Sequence, residues 1–262
     1  MQIDLKNKNA LVCGSTQGIG KATAIALAQA GANVTLVARN QTRLEQVKNE
    51  LPSDDGQLHG WIVADFQNPA ELAKQVYLQL DSGQVFHILV NNTGGPPGGE
   101  IFSATIEAFE NAFTQHLKCN HVLVQAVVPG MKAAGQGRII NVISTSVKQP
   151  LDGLGVSNTV RGAVASWAKT LANELGNFGI TVNNILPGAT ETERLSSIIA
   201  AKAKKTGNSV EQISDAMKHS IPAKRFADPS EIANAVAFLA SDLASYINGV
   251  NLPVDGGRTK SL

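Results

Sequence analysis

Residues 9–20 read NALVCGSTQGIG and run directly into the alanine-rich segment KATAIALAQA, residues 21–30. An apolar run, a glycine loop and a helical segment occur here in the order of a βα unit that binds a phosphate group. Gly14 suits a tight turn, Gly18 lets the backbone approach a pyrophosphate, and Gly20 allows a helix to pack closely on a strand. We therefore predict a dinucleotide-binding loop, with a purely structural glycine turn as the alternative. Its expected contact residues are Gly14, Thr16, Gln17, Gly18, Ile19 and Gly20.

Strand-like and helix-like segments alternate along the rest of the chain. The predicted strands are 9–13, 33–38, 59–64, 87–90, 137–143, 181–185 and 250–254. The predicted helices are 18–30, 42–51, 69–80, 106–134, 155–178 and 229–240. Most of the strands are continuous apolar runs, which is typical of parallel strands buried on both faces. The pattern predicts a single-domain α/β doubly wound Rossmann fold with a mostly parallel seven-stranded sheet.

One segment, 193–226, interrupts this alternation with helix-forming sequence before the last helix. We assign 1–262 to one dinucleotide-binding domain and interpret 193–226 as a helical lid insert that closes over a substrate. An oligomer contact and added core are the alternatives. Three lysines of this segment either attract a phosphate-bearing acyl carrier or form a solvated helix face: Lys202, Lys204 and Lys205.

Composition and charge exclude several classes of protein. With 43% hydrophobic and 16% charged residues, the 262-residue chain has ample material for a core. Its net charge of +1 favours neither a nucleic acid nor an anionic membrane as partner. The N-terminal MQIDLKNKNA lacks an apolar signal segment, so we expect a cytoplasmic protein. Cys13 and Cys119 lack metal-ligand spacing, so we predict no metal site and expect two small buried side chains.

The end of the second predicted strand, VTLVARN, residues 34–40, indicates which nicotinamide cofactor binds. A protein that binds NAD usually carries Asp or Glu at this point to accept the ribose hydroxyls. Here Ala38 and Arg39 occupy it. A guanidinium can pair with a 2′-phosphate, and no carboxylate repels that phosphate. We therefore predict NADP(H), with an exposed, uninvolved arginine as the alternative.

Four further motifs resemble those of the short-chain dehydrogenase/reductase family, and the likeness covers essentially the whole chain. The motifs are Asp65-Phe66, Asn91-Asn92-Thr93-Gly94 with Thr93 in place of the family's alanine, Pro187-Gly188 followed by Thr192, and Val254-Asp255-Gly256-Gly257. The segments AVVPGM (126–131) and GRIIN (137–141) are most similar to 3-oxoacyl-carrier-protein reductases. The resemblance implies that Asp65 and Phe66 hold adenine and that Pro187, Gly188 and Thr192 orient the nicotinamide. It adds Asn92, Thr93 and Gly94 to the cofactor-binding residues. It also implies a homodimer or homotetramer that pairs the helices 106–134 and 155–178.

The catalytic pattern of the family, an Asn, a Ser and a Y-x-x-x-K pair, is largely absent. Ser144 follows Asn141 by three residues and matches the family serine. The tyrosine position is occupied by Ser157, and the lysine position by Arg161. Counting back from the P-G-M motif places His116 at the asparagine position. The usual proton donor is therefore missing.

Several substitutes for this proton donor are available. Since proton transfer is most efficient near the operating pH, His116 is the best candidate, with a pKa expected near its ordinary value of about 6.5. Lys148 is a distant second. Arg161 stays protonated; it can bind the nicotinamide ribose and, with Ser144, stabilise an oxyanion. We expect Ser157 to contact the ribose of the cofactor or the substrate. A structural role is the alternative for each.

The sequence therefore predicts an enzyme, an NADP(H)-dependent oxidoreductase that interconverts a carbonyl and an alcohol. It is 3-oxoacyl-reductase-like, with a non-standard proton path and atypical catalytic residues Ser144, Ser157, Arg161 and His116. The substrate is a small molecule that the sequence does not name, and an acyl thioester is one option. A nucleotide-binding or regulatory protein without redox catalysis is the main alternative. A lyase or isomerase that binds a nucleotide is the third.

Overall fold

The computed structural model describes residues 3–54 and 56–261. In this part of the chain, seven strands form one sheet in the order β3-β2-β1-β4-β5-β6-β7, and every neighbouring pair is parallel. The strands are β1 Asn9–Cys13, β2 Asn33–Ala38, β3 Gly60–Val63, β4 Ile88–Asn91, β5 Gly137–Val142, β6 Ile180–Pro187 and β7 Asn251–Val254. The strand order reverses between β1 and β4. Ligands of doubly wound sheets bind in the crevice at that point, beyond the carboxyl ends of the strands.

Helices cover both faces of the sheet. They are α1 Gly18–Gln29, α2 Gln41–Glu50, α3 Pro69–Asp81, α4 Ile106–Phe113, α5 Cys119–Ala133, α6 Gly155–Leu175, α7 Glu193–Thr206, α8 Val210–His219 and α9 Pro229–Ala240. Helices α1, α2 and α9 pack on one face, and α3, α5 and α6 pack on the other. The sheet is therefore buried on both faces, which explains its continuous apolar strands. Cys13 and Cys119 are buried free thiols, as expected.

The predicted helix 106–134 is divided. Between α4 and α5 the chain forms one π-helical turn, Thr114–Lys118, which contains His116. A π turn inserts an extra residue into the helix and is frequent at functional sites. Periodicity alone could not reveal it, because the apolar spacing on either side remains helical. The predicted helix 155–178 also ends earlier, at Leu175, and continues as a short 3₁₀ turn to Phe178.

Four asparagines form a hydrogen-bonded row across the sheet, one on each of β4, β5, β6 and β7. In the strand register, Asn91 lies beside Asn141, Asn141 beside Asn184, and Asn184 beside Asn251. Their side-chain amides are joined by bonds of 2.8, 2.9 and 2.8 Å, in which each member donates to the next. The first three are buried. Because each amide supplies both a donor and an acceptor, the row stabilises this register in the core.

The insert forms the helical pair α7 and α8 with a small core of its own. That core includes Leu195, Ile199, Ile213 and Phe226. Lys205 of α7 pairs with Glu100, its Nζ lying 3.8 Å from a carboxylate oxygen. The insert therefore lies beside the loop that follows β4, and closure over a substrate stays a prediction. No helix in the described ranges is long and apolar enough to cross a membrane.

Candidate active site

The glycine loop after β1 fits tightly against the loop after β4. Gly14 has a φ of +58°, and a Cβ there would lie 2.5 Å from the carbonyl oxygen of Asn92. The Asn92 amide donates back to the carbonyl oxygens of Cys13 and Gly14, at 3.2 and 3.3 Å. Only glycine satisfies both the left-handed backbone and this contact. The structure thus joins two motifs that are almost eighty residues apart in sequence.

The glycine loop also faces the segment after β6. Gly18 has a φ of +52°, and a Cβ there would lie 3.0 Å from Cγ2 of Thr192. Helix α1 begins at this loop without a side-chain cap and without an acidic residue in its first turn. By contrast, Thr192 caps α7 by accepting from the Leu195 amide. Uncapped N–H groups at a glycine-lined helix start suit a diphosphate, so these residues fit the cofactor that the sequence predicts.

Two guanidinium groups lie near the expected 2′-phosphate position. Arg39 is exposed directly after β2, and within the described ranges it makes neither an ion pair nor a side-chain hydrogen bond. Arg43, in the first turn of α2, donates to the Gln17 side chain of the glycine loop at 3.1 Å. Sequence reasoning did not identify Arg43. The Arg-x-x-x-Arg spacing across the start of α2 was the available signal.

The proposed adenine pair divides into an exposed and a buried member. Asp65 is exposed after β3 and accepts from the Gln67 amide at 3.0 Å. The Phe66 ring is buried in the core, and its carbonyl oxygen accepts from the Cys119 thiol at 3.0 Å. A contact between this pair and adenine therefore depends on Asp65 and on the Phe66 backbone.

The closing V-D-G-G motif supports the proposed nicotinamide segment. A Cβ on Gly188 would lie 2.7 Å from Cα of Asp255, and the Gly188 amide donates to the Val254 carbonyl at 3.0 Å. The Asp255 carboxylate in turn accepts from the Gly257 and Thr259 amides, at 2.9 and 2.8 Å. These contacts determine where the chain leaves β6 towards the candidate nicotinamide site.

Arg161 connects α6 to the end of β5. Its guanidinium is buried and donates to the Val142 carbonyl at 3.1 Å. Ser144 follows two residues later and accepts from the Ser146 amide at 3.1 Å. Ser157, one helical turn before Arg161, is half-buried, and its side chain has no hydrogen-bond partner within the described ranges. The structure therefore places Arg161 at the end of β5, beside the segment that carries Ser144.

The charge of Arg161 is disfavoured by its surroundings. Burial, together with the positive charge of Arg194, lowers the pKa of the Arg161 guanidinium to about 10. At neutral pH the group is still a cation. A buried cation beside a reacting carbonyl can stabilise negative charge on its oxygen.

His116 does not titrate as the sequence analysis expected. Its Nδ1 lies 2.5 Å from the Thr93 hydroxyl oxygen, and its buried Nε2 has no partner among the described residues. Burial, and to a lesser extent the charge of Arg161, lowers the pKa of His116 to about 2. The expected pKa near 6.5 is therefore wrong, and burial favours the neutral form of the His116 imidazole near pH 7.

Tyrosine cannot supply the proton at this site. Tyr77 lies half-exposed on α3, and Tyr246 is fully exposed after α9. Lys148 is half-buried just after a short 3₁₀ turn, Thr145–Val147. The missing family acid is thus not replaced by a tyrosine from elsewhere in the described chain.

Arg194 is a site residue that sequence reasoning missed. It lies in the first turn of α7, and its Nη2 donates to the Pro96 carbonyl at 2.5 Å. A Cβ on Gly95 would lie 3.7 Å from the same nitrogen. Arg194 therefore bridges the insert and the loop after β4. Its position two residues after Thr192 was the only signal in the sequence.

A cavity of about 200 Å³ opens beside this loop. Its lining is mostly small and apolar, and Glu100 and Ser103 contribute the polar side chains. The lining residues are Pro96, Pro97, Gly98, Gly99, Glu100, Ser103, Ala104, Ala108 and Val156. Pro96 both lines the cavity and accepts from Arg194, and Val156 directly precedes Ser157. The cavity is small for a drug-sized ligand but suits part of a small substrate.

This parallel sheet, with a glycine loop at its switch point, is the fold of a dinucleotide-binding protein. A family profile described as enoyl-(acyl carrier protein) reductase matches residues 14–259. Uncharacterized oxidoreductase YvrD of Bacillus subtilis is 34% identical over 266 residues, covering 100% of both chains. The 3-oxoacyl-acyl-carrier-protein reductase of Staphylococcus epidermidis is 33% identical, covering 96% of this chain and 98% of its own. The chain belongs to the short-chain dehydrogenase/reductase family.

Solved structures agree with this assignment. L-sorbose reductase from Gluconobacter frateurii, complexed with NADPH and L-sorbose, superposes with a TM-score of 0.93 at 32% identity. The match covers 100% of both chains. The predicted fold class and family resemblance are thus confirmed.

Proposed function

We propose that this protein is an NADP(H)-dependent oxidoreductase that interconverts a carbonyl and an alcohol without a tyrosine acid. The observation that carries the proposal is the buried Arg161, which donates to Val142 beside Ser144 at the candidate nicotinamide site. A cation buried at the family's lysine position retains the ability to stabilise an oxyanion. The 3-oxoacyl-reductase-like character rests on the resemblance of sequence and on the relatives named above.

The family resemblance and the geometry of the cleft together support an assignment of the cofactor residues. The glycine loop and the uncapped start of α1 bind the diphosphate, and Arg39 with Arg43 binds the 2′-phosphate. Asp65 and the Phe66 backbone contact adenine. Pro187, Gly188 and Thr192 border the nicotinamide, and Arg161 also reaches its ribose. The same kind of cofactor, NADPH, is present in the solved L-sorbose reductase.

The chemistry divides between cofactor and protein. NADPH, when bound, supplies the hydride that adds to the carbonyl carbon. Arg161 and Ser144 stabilise the negative charge that develops on the carbonyl oxygen. The proton that this oxygen gains comes from solvent. Because His116 is neutral, the Ser157 hydroxyl, which has no protein partner among the described residues, relays that proton from water.

The test is NADPH oxidation by the purified protein with acetoacetyl thioesters, quinones, small ketones and the oxo acids acetoacetate and pyruvate, alongside calorimetric titration with NADPH. We expect turnover with at least one carbonyl class. Ser157→Ala and Ser144→Ala should each reduce kcat, whereas Ser166→Ala, an exposed serine on the same α6, should not. Turnover that is unchanged in both site variants would contradict the proposed roles.

A second function, nucleotide binding without redox catalysis, is favoured by one observation: Ser157 replaces the family tyrosine, and burial lowers the pKa of His116, so neither side chain is an acid suited to neutral pH. Tight NADPH binding without turnover on the whole panel would support this function and exclude the first.

A further inference from the structure

Two arginines reach the candidate active site from different elements: Arg161 of α6 contacts the end of β5, and Arg194 of the insert contacts the loop after β4. Arg161 is 7% exposed and donates one N–H to the Val142 carbonyl. Arg194 is exposed and donates from Nη2 to the Pro96 carbonyl. They lie close enough for the charge of Arg194 to disfavour that of Arg161. Within the described ranges neither guanidinium forms an ion pair, and the acidic neighbours of Arg194, Glu191 and Glu193, do not pair with it.

Such an arrangement is unfavourable in the protein alone. Burying a cation costs free energy unless it is paired, and a second cation nearby adds repulsion. Elsewhere the chain pairs its buried arginine: the buried Arg138 lies 3.1 Å from a carboxylate oxygen of Asp242. A guanidinium presents five donors, so most N–H groups of Arg161 and Arg194 remain for a ligand. The missing counter-ion is therefore expected from the ligand itself.

The place of the pair in the fold indicates which ligand this is. Arg161 lies beside the reactive serines, and Arg194 lies on the insert over Gly95 and Pro96. Pro96 also lines the cavity of about 200 Å³, whose wall is mostly apolar. If a small molecule placed an anionic group between the arginines, the rest of the molecule would extend into this cavity.

We propose that the substrate is a small oxo acid, whose carboxylate is held by Arg161 and Arg194 and whose short apolar part occupies the cavity beside Pro96. Arg194 is thereby the residue that determines specificity for a carboxylate over a neutral carbonyl compound. This inference rests on the proposed oxidoreductase function, because it assigns the substrate class of that same site. A planar carboxylate suits the paired N–H groups of guanidinium side chains.

The cofactor is the other source of anionic groups in this cleft, because Thr192, two residues before Arg194, lies against Gly18. If Arg194 bound a cofactor phosphate, a substitution that removes its charge would weaken the binding of NADP⁺ itself. Binding of NADP⁺ and binding of a carboxylate to the NADP⁺ complex therefore distinguish the two sources.

The experiment is calorimetric titration of the NADP⁺-saturated protein with acetoacetate and pyruvate and with their methyl esters. Oxidised cofactor and oxo compound cannot react, so binding is measured without turnover. At least one acid should bind more tightly than its ester. Arg194→Gln should weaken the binding of that acid by about 10- to 100-fold and leave the binding of the ester and of NADP⁺ nearly unchanged. Arg194→Lys should restore part of the affinity.

A matched control is Lys202→Gln, which removes the same charge from an exposed position on the same α7 and should change nothing. The proposal is overturned if neither acid binds more tightly than its ester. The proposal is equally overturned if Arg194→Gln weakens the binding of acid and ester alike, or if this substitution weakens the binding of NADP⁺. The proposed function fails separately, if NADPH is not consumed with any carbonyl of the panel.

Discussion

The buried imidazole of His116 forms its one hydrogen bond within the described chain to the hydroxyl of Thr93, with Nδ1 and the oxygen 2.5 Å apart. Both residues depart from the pattern of the family, which has asparagine at position 116 and alanine at position 93. The two departures touch each other across the cleft, on the π turn and on the loop after β4. Because an alanine methyl group cannot pair with an imidazole, Thr93 supplies the partner that His116 requires in a buried site.

His116 makes stability sensitive to acid. Its pKa is lowered to about 2 in the folded chain and is about 6.5 in the unfolded chain. The unfolded state therefore gains a proton first as pH falls, and folded stability declines below about pH 6.5. Between about pH 7 and pH 5 this residue should cost about 2 kcal/mol. Urea unfolding at both pH values should show that loss in the wild type and a smaller one in His116→Gln.

The rate should also be insensitive to a group with a pKa near 6.5. NADPH oxidation measured between about pH 5.5 and 8 should therefore give the same pH profile in the wild type and in His116→Asn, the variant with the family residue. An inflection near pH 6.5 that this substitution removes would show that His116 carries the proton after all.

Arg161 is expected to matter through its charge. Arg161→Met should reduce kcat by about 100- to 1000-fold, the size of effect typical for a lost oxyanion donor. Arg161→Lys should recover part of it. Since the pKa of Arg161 is lowered to about 10, wild-type kcat should fall as pH rises through about 10, where the guanidinium loses its proton. A full rate in Arg161→Met would exclude a role in the chemical step.

Arg39 should determine the cofactor preference. Arg39→Ala removes a charge-assisted contact worth about 1.5 to 3 kcal/mol, so NADPH should bind about 10- to 100-fold more weakly. NADH has no 2′-phosphate and should bind almost as before, which makes it the internal control. Titration calorimetry with both cofactors gives the comparison. Equal losses for NADPH and NADH would show that Arg39 does not contact the 2′-phosphate.

The asparagine row should contribute strongly to stability at its centre. Asn141→Leu leaves the Asn91 amide without its acceptor and the Asn184 oxygen without its donor, both buried. Each orphaned group costs about 1 to 3 kcal/mol, so the variant should lose about 2 to 6 kcal/mol in urea unfolding. Asn251→Ala, at the half-buried end of the row, removes one bond and should cost less. Equal costs would argue against a cooperative row.

The assembly is expected to be a homodimer or homotetramer that pairs the long helices α4 to α6. Ile106 and Phe113 of α4 are exposed apolar residues at 69% and 39%. Phe113→Glu should therefore reduce the mass measured by light scattering at micromolar concentration. Leu78→Glu, at a similarly exposed position on α3, should leave it unchanged. A monomeric wild type would contradict the expectation.

The strand and helix segments and the cofactor loop could be predicted from sequence because each depends on local chemistry. The glycines at 14, 18 and 20 specify a turn and a close approach, and continuous apolar runs specify strands buried on both faces. The predicted strands β1 and β2 and the helix α9 match the structure at both ends. The substituted positions Ser157 and Arg161 were also found by counting along the chain.

Only the tertiary structure determined what these substitutions do. The pKa of His116 depends on how deeply a π turn buries it and on the nearby Arg161, and neither is encoded in local spacing. Thr93 comes from the loop after β4 and Arg194 from the insert, and each is distant in sequence from the residue that it affects. Desolvation and charge repulsion act through space, so the sequence by itself specified the cofactor cleft, while folding determined the protonation and charge of the reactive site.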